Sequence, residues 1–325
     1  MTTLTFPVLH VLADGQFHSG EALAQHFNVT RATIWNAVQH AENLGIEIFS
    51  VRGRGYKLPL AINLLDKNAV LKAIGEQRAW FTLEVLDEVN STNTYLMQNK
   101  HVAHATCVAA HVQTNGKGRR GRTWISQLGA SLTFSLLWRF QCGAAALSGL
   151  SLCVGVALIR ALRDFEVNTA QLKWPNDVLV NGKKLAGILI ELQGDLEGPS
   201  AAVIGVGINL DFNSSLPKNM LESIDQPAID LASVKAIDQN AFLGTILKHL
   251  ADVLSGFEAH GFVALRDEWM RYHAYENKQV RMLLPNGTDV KGHVQGVAED
   301  GILLVETALG LQRFSAGEIS LRGVD

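Results

Sequence analysis

Apolar positions along residues 4–58 follow two different periods. Helical spacing over 6–12 ends at Asp14-Gly15. Ser19 then stands where a cap belongs, ahead of a run with Leu23, Ala24 and Phe27 on one face. Asn28-Val29-Thr30 makes a turn, and Thr30 caps a third helix from Arg31 to about Asn43 with Ile34, Val38 and Ala41 inward. Over 46–58 the pattern becomes that of a hairpin, with Ile48, Phe49 and Val51 before a Gly53-Arg54-Gly55 tip and Tyr56 and Leu58 after it. The sum is a winged helix-turn-helix, which can offer the second helix of its helix-turn-helix pair to a major groove and its tip to phosphates. A small helical adaptor that binds protein has the same pattern.

Asp66 caps a further helix running to 74, and a longer α/β region follows. Strand-like runs fall at 81–86, 106–112, 131–138, 171–174, 178–180, 188–192 and 201–208, with helical runs near 94–100, 144–163 and 241–260. Several strands in succession without helices between them predict a mixed β-sheet with helices on one side, not a doubly wound fold. From 278 onward short strands alternate with Pro285-Asn286-Gly287 and Glu299-Asp300-Gly301 turns, the grammar of a small β-barrel. The expected class is therefore α+β, in three units at 1–63, 64–272 and 273–325.

Charge modifies this picture only locally. The 325 residues carry a net charge of -3, which argues for no general affinity for nucleic acid. Residues 1–58 balance Arg31, Arg52, Arg54 and Lys57 against Asp14, Glu21, Glu42 and Glu47. Three of those cations sit on the wing, however, and the outer face of the third helix offers Arg31, Thr33, Asn36, Gln39 and His40, side chains that read phosphates and base edges. Arg31, Thr33, Asn36 and Gln39, with Arg52 and Arg54, are the DNA-binding candidates. Residues 140–159 hold no charge and are long enough to span a bilayer, but they are rich in Gly, Ala and Ser and flanked by Arg139 and Arg160. A buried core helix is expected, and no membrane. Cys107, Cys142 and Cys153 form no CxxC pair and the first ten residues lack an export signal, so a reducing, cytoplasmic setting is expected.

Two segments carry chemistry. Gly116-Lys117-Gly118-Arg119-Arg120-Gly121-Arg122 crowds four cations onto a glycine-rich loop directly after a strand. Mutual repulsion favours an open loop until an anion arrives, whose oxygens the arginine forks and backbone N–H groups can hold. A solvated basic turn or a nucleic-acid contact is the plainer reading. A Walker-type P-loop is excluded, because that motif opens a helix and Ser131-Leu132-Thr133-Phe134-Ser135 alternates as a strand. The second segment is Lys173-Trp174-Pro175-Asn176-Asp177, followed by an Asn181-Gly182 hairpin signal and Lys183-Lys184-Leu185-Ala186-Gly187. Folding back at Asn181-Gly182 brings Asp177 and Lys184 to one cleft, although a surface ion pair would look the same. His101, His104 and His111 match no metal-ligand spacing, so no metal ligand set is assigned. Gly205-Val206-Gly207 lacks the third glycine of a dinucleotide fingerprint.

Taken in order, Gly116–Arg122 with Trp124, Lys173–Asp177, Lys184–Glu191, Val203–Asn209 and 317–322 resemble the signature blocks of the biotin–protein ligase family. With the winged helix in front, the resemblance extends over essentially the full length to the bifunctional bacterial form that also represses biotin-synthesis genes. It implies a class II synthetase-like catalytic unit and an SH3-like C-terminal barrel. It also implies formation of biotinyl-5′-adenylate from biotin and MgATP, then transfer to a lysine of a biotin carboxyl carrier domain.

Ser91, Thr92, Asn93 and Gln113 would then hold the neutral ureido ring. Lys117, Gly118, Arg119 and Trp124 would cover biotin. Gly116, Arg119, Arg120, Arg122, Asn176 and Asn209 would meet the nucleotide, and Lys184 would bridge the biotin carboxylate and the α-phosphate. Arg119, Lys184 and Asp177 are the catalytic candidates, with Asp177 orienting or deprotonating the acceptor lysine. Operator DNA and a homodimer formed on adenylate binding are the further partners implied. Lys117 stands where arginine is common, and no tryptophan occurs between Phe212 and Asp230 to stack on adenine. A ligand-sensing DNA-binding regulator without turnover and a lipoate-type ligase remain as alternatives.

Overall fold

The computed structural model describes residues 4–99, 101–194, 198–212, 226–284, 288–315 and 320–323. The turn at 285–287, the stretch 213–225 and the block residues 317–319 lie outside these. Helices α1 (Thr5–Leu12), α2 (Gly20–His26) and α3 (Arg31–Asn43) precede a hairpin of β1 (Phe49–Val51) and β2 (Gly55–Lys57). Both caps form as the sequence predicts. The Ser19 hydroxyl accepts from the Ala22 N–H at 3.0 Å, and Thr30 accepts from Thr33 at 3.2 Å. Leu9, Leu12, Leu23, Ile34 and Val38 form the core of this unit, and Val112 and Leu128 of the central unit complete it. The winged helix is thus packed against its neighbour. Gly55 has φ +101, and a Cβ there would lie 2.0 Å from the His18 carbonyl oxygen, so glycine is required where the wing returns beneath α2.

After α4 (Lys67–Ile74), capped by Asp66, the central unit is built on β3 (Thr82–Val89), β4 (Thr106–Gln113), β5 (Ser131–Phe140), β6 (Ala170–Lys173), β7 (Asp177–Val180), β8 (Lys183–Gly194) and β9 (Ser200–Asn209). They form one sheet in the order β3-β4-β5-β9-β8-β7-β6, parallel only between β3 and β4. Alternation on the two central strands decides what covers each face. Leu132, Phe134, Leu136, Ile204, Val206 and Ile208 turn toward a core shared with α4, α6 (Leu150–Asp164) and α7 (Gln239–His260). Thr133, Ser135, Gly205 and Gly207 face the other way. There α5 (Thr92–Gln98) packs Leu96 on Val108, Leu137 and Val203.

The sheet therefore carries helices on both faces, a correction to the one-sided arrangement expected. The apolar run 144–163 is also not one helix. Gly149 at φ +81 breaks it, leaving a 3₁₀ turn at Ala144–Leu147 before α6. Among the described residues no helix is long and apolar enough to cross a membrane. Cys107 and Cys153 are buried, and burial pushes both thiols up.

Helix α8 (Val263–Arg271) leads to β10 (Gln279–Leu283), β11 (Asp289–Val297), β12 (Leu303–Thr307), β13 (Gly310–Phe314) and β14 (Ser320–Gly323), an antiparallel sheet in the order β13-β12-β11-β10-β14. Its 299–301 turn is tied to the central unit at two points. The Trp174 indole N–H donates to the Gly301 carbonyl at 3.0 Å, and the Ser148 hydroxyl donates to that of Asp300 at 2.6 Å. Trp174 is a buried strut between two units.

Candidate active site

The polar face of the central sheet and the N-terminus of α5 build the first wall. Ser91 caps α5, leaving Thr92 and Asn93 pointed at the sheet. The Thr92 N–H and hydroxyl both donate to Gln113 Oε1, at 2.7 and 3.1 Å. Ser135 Oγ lies 2.7 Å from Thr92 Oγ1 and 2.5 Å from Asn93 Oδ1, and the Asn93 amide donates to Glu191 at 2.8 Å. Buried neutral groups linked in this way hold fixed orientations, because each would be costly to leave unpaired. The strand beneath must be bare. A Cβ on Gly205 would sit 2.1 Å from Asn93 Oδ1, and one on Gly207 2.3 Å from the Trp124 ring.

The glycine–arginine segment forms the lid. It was expected to stand open, but it folds as a narrow hairpin. Trp124 N–H donates to the Gly116 carbonyl at 2.9 Å, Gly118 N–H to that of Arg122 at 2.7 Å, and Lys117 bridges Thr123. Arg120 at φ 60 and Gly121 at φ 71 turn its tip. Arg119 overcomes the repulsion by leaving the other cations. Its guanidinium donates to Asn176 Oδ1 at 3.0 Å, where burial lowers its pKa, Asp177 opposes that shift and Arg120 adds to it. Arg120 and Arg122, with Gly116, line an outer cleft closed on its far side by Leu189, Ile190 and Glu191.

The third wall is the β7–β8 hairpin. Asn181 and Gly182 adopt φ 51 and 72, as their sequence signal requires. A bulge between Val178 and Leu179 shifts the register, and the Lys184 ammonium meets Asp177 Oδ1 at 2.7 Å with little solvent on either side chain. The same ammonium lies 5.8 Å from the Trp124 ring centre. Asn176 is fixed on both sides, donating to the Ile188 carbonyl at 2.7 Å and accepting from Arg119.

Ser91, Thr92, Asn93, Gln113, Lys117, Gly118, Arg119, Trp124, Asn176 and Lys184 all line one cavity, with Asp177 behind Lys184. Only about 50 Å³ is free inside it, room for a few waters and far less than a nucleotide needs. The Trp124 indole N–H is buried there without a partner among the described residues. Asn209 stands apart. Its amide donates to the Lys184 and Ile229 carbonyls, both at 3.1 Å, fixing the start of β8.

Sequence reasoning overlooked Glu191, Gly205 and Gly207 as parts of the wall, although β5, on which β9 lies, alternates small polar with apolar residues. On the winged helix, Arg31, Asn36, Arg52 and Arg54 are exposed, Thr33 and Gln39 half-exposed. Arg54 lies over the Phe17 ring at 4.0 Å, and Gln39 is bonded to Glu42 at 2.6 Å. His40 is partly buried and bonded to Thr5. Trp35, 54% exposed beside Asn36, was passed over.

Three comparisons bear on this arrangement. Residues 85–209 match the Biotin/lipoate A/B protein ligase family, 6–57 an HTH domain and 277–322 the Biotin protein ligase C terminal domain. The Bifunctional ligase/repressor BirA of Salmonella typhimurium is 33% identical over 327 residues, covering 100% of this chain and 99% of that protein. The chain belongs to the bifunctional biotin ligase/repressor family. The biotin–[acetyl-CoA-carboxylase] ligase of Paracoccus denitrificans is 30% identical over 74% of this chain and all of its own length. In structure, the biotin protein ligase of Aquifex aeolicus, solved with biotin and ATP, superposes with a TM-score of 0.64 at 30% identity, covering 75% of this chain and 99% of that one. Membership of the ligase/repressor family accounts for a winged helix and a ligase unit in one chain.

Proposed function

We propose that the cavity between α5, the 116–124 hairpin and the β7–β8 hairpin binds biotin and ATP, and that the chain is a biotin–protein ligase and biotin-responsive repressor. The observation that carries the reading is the convergence of a neutral hydrogen-bonding wall and two cations, Arg119 and Lys184, on one slot. An uncharged ureido ring suits Thr92, Asn93 and Gln113, whose groups offer both donors and acceptors. A carboxylate and a phosphate suit Lys184, which would exchange Asp177 for the two incoming anions. The biotin carboxylate oxygen attacks the α-phosphorus, the bond to pyrophosphate breaks, and Lys184 and Arg119 offset the charge that develops. An acceptor lysine of a carrier domain then attacks the mixed anhydride's carbonyl and AMP leaves, with Asp177, freed from Lys184, placed to take the amine proton.

Because so little space is free, entry requires Trp124 and the lid to swing outward and reclose, which excludes water from a hydrolysable anhydride. Lys117 and Gly118 cover the biotin side, while Gly116, Arg120 and Arg122 face the triphosphate. The position of Asn209 supports a role in holding Lys184 rather than touching nucleotide. Mg²⁺ fits as a companion of the phosphates, held chiefly by their oxygens and water. Glu191, the carboxylate lining the outer cleft, would help to hold it, and the ion would supply charge that offsets the departing pyrophosphate.

The winged helix supports operator binding through Arg31, Thr33, Asn36 and Gln39 of α3 and through Arg52 and Arg54. We place DNA binding in 1–63, catalysis in 64–272 and the C-terminal sheet in 273–325, with a homodimer as the adenylate-bound, DNA-binding state. Biotin-dependent exchange of pyrophosphate into ATP by the purified chain tests the ligase reading, with lipoate as the rival substrate. Exchange with biotin and none with lipoate is expected. No exchange with either would leave a regulator without turnover, and exchange with lipoate alone would replace the substrate.

A further inference from the structure

Away from that cavity, α1 and the β3–β4 edge of the central sheet bring together three side chains for which the reaction has no use. His10 comes from the last turn of α1, Asp87 from β3 and His111 from β4. The parallel register pairs Leu86 with Ala110 and Glu88 with Val112, which sets Asp87 beside His111. One donor atom from each of the three lies within 4.8 Å of the others. His111 is 5% exposed, stacked on Phe6 at 6.0 Å with the His10 ring edge-on at 5.6 Å. Among the described residues none of the three side chains has a hydrogen-bond partner.

The three donors lie close enough to share one ion, yet none is held in an ion pair with another. We propose that His10, Asp87 and His111 bind one divalent transition-metal cation of the zinc class, with water completing its coordination. Two imidazoles and a carboxylate are the donor set such ions prefer over magnesium or calcium. A tetrahedral ion about 2.0–2.2 Å from each donor holds the donors about 3.3 Å apart. Each side chain must therefore move inward by about an ångström. His10 and Asp87 are exposed and free to turn, while packing fixes His111 as the anchor.

The ion would join two units. His10 belongs to the winged helix, and on β4 His111 is followed by Val112, part of the winged-helix core, and by Gln113, which holds Thr92 in the cavity. A bound cation would thus fix the stance of the winged helix on the strand that orients the Gln113 amide.

The test is titration of the full-length, tag-free, chelator-treated protein with Zn²⁺ and with Co²⁺, without nucleotide. One equivalent bound is expected, with the visible bands of four-coordinate cobalt. His10→Gln and Asp87→Asn change only exposed groups and should each weaken binding at least tenfold, while His101→Gln, outside the cluster, should not. Absence of stoichiometric binding, or either cluster variant binding as tightly as the unaltered chain, would overturn the assignment.

Discussion

Lys184 and Asp177 hold each other at 2.7 Å where little solvent reaches, so removing Lys184 leaves Asp177 with the Arg119 charge nearby. Lys184→Ala should cut biotin-dependent pyrophosphate exchange by at least about a hundredfold, since a charge aimed at the transition state is lost. Stability should fall by about 3 kcal/mol or less, because Asp177 keeps the Arg119 charge nearby and the strand keeps its backbone bonds. Near wild-type exchange, or an unfolded protein by circular dichroism, would refute this role. Gly207→Ala tests the opposite wall. Its methyl would meet the Trp124 ring, and the indole would have to leave the slot. Biotin binding by calorimetry should weaken at least tenfold while melting changes modestly; unchanged affinity would show that the indole does not line the site. At this scale Lys184 was legible because a hairpin signal fixed its partner strand. Gly205 was not, since only the fold reveals that Asn93 crosses above it.

Among elements, the lid departs most from its sequence. Four cations within seven residues suggested repulsion, whereas cross-strand bonds from Gly118 and Trp124 close the hairpin and Arg119 escapes onto Asn176. Arg119→Gly should remove that latch and let the activated intermediate diffuse away. Biotin should then appear on lysines of a bystander protein such as albumin at least tenfold faster than with the unaltered enzyme, and labelling no faster would count against the latch. The helices and strands themselves were largely visible, from the capping residues and the alternation of β5 and β9. The break in the 144–163 run was not, because it depends on Gly149 turning left-handed against Phe262, a contact distant in sequence.

At the scale of the whole molecule the joints between units carry the pH response. His273 bridges Leu172 next to the C-terminal sheet, with Glu276 and Lys278 nearby. Burial, aided by Lys278, pushes its pKa down from 6.5 to about 3. The unfolded chain therefore takes up a proton that the folded chain refuses. Stability is unaffected well above pH 6.5 and falls as pH drops below it, by about 1.4 kcal/mol per unit from this group until the folded value is reached. Urea unfolding at pH 7 and pH 5 should show the loss, and His273→Gln should reduce it; an equal loss in the variant would place the acid sensitivity elsewhere. Such joints were beyond sequence reasoning, which found the three grammars but had no means of seeing where they touch.

The Trp174–Gly301 bond gives the C-terminal sheet a part in the chemistry that it never touches. Trp174 lies two residues before Asn176 and three before Asp177, the groups that seat Arg119 and Lys184. The active site thus rests on a foundation laid by the last fifty residues, and a chain shortened before Gln279 would keep every reacting group yet lose their alignment. Attempts to miniaturise the enzyme should begin by replacing that foundation.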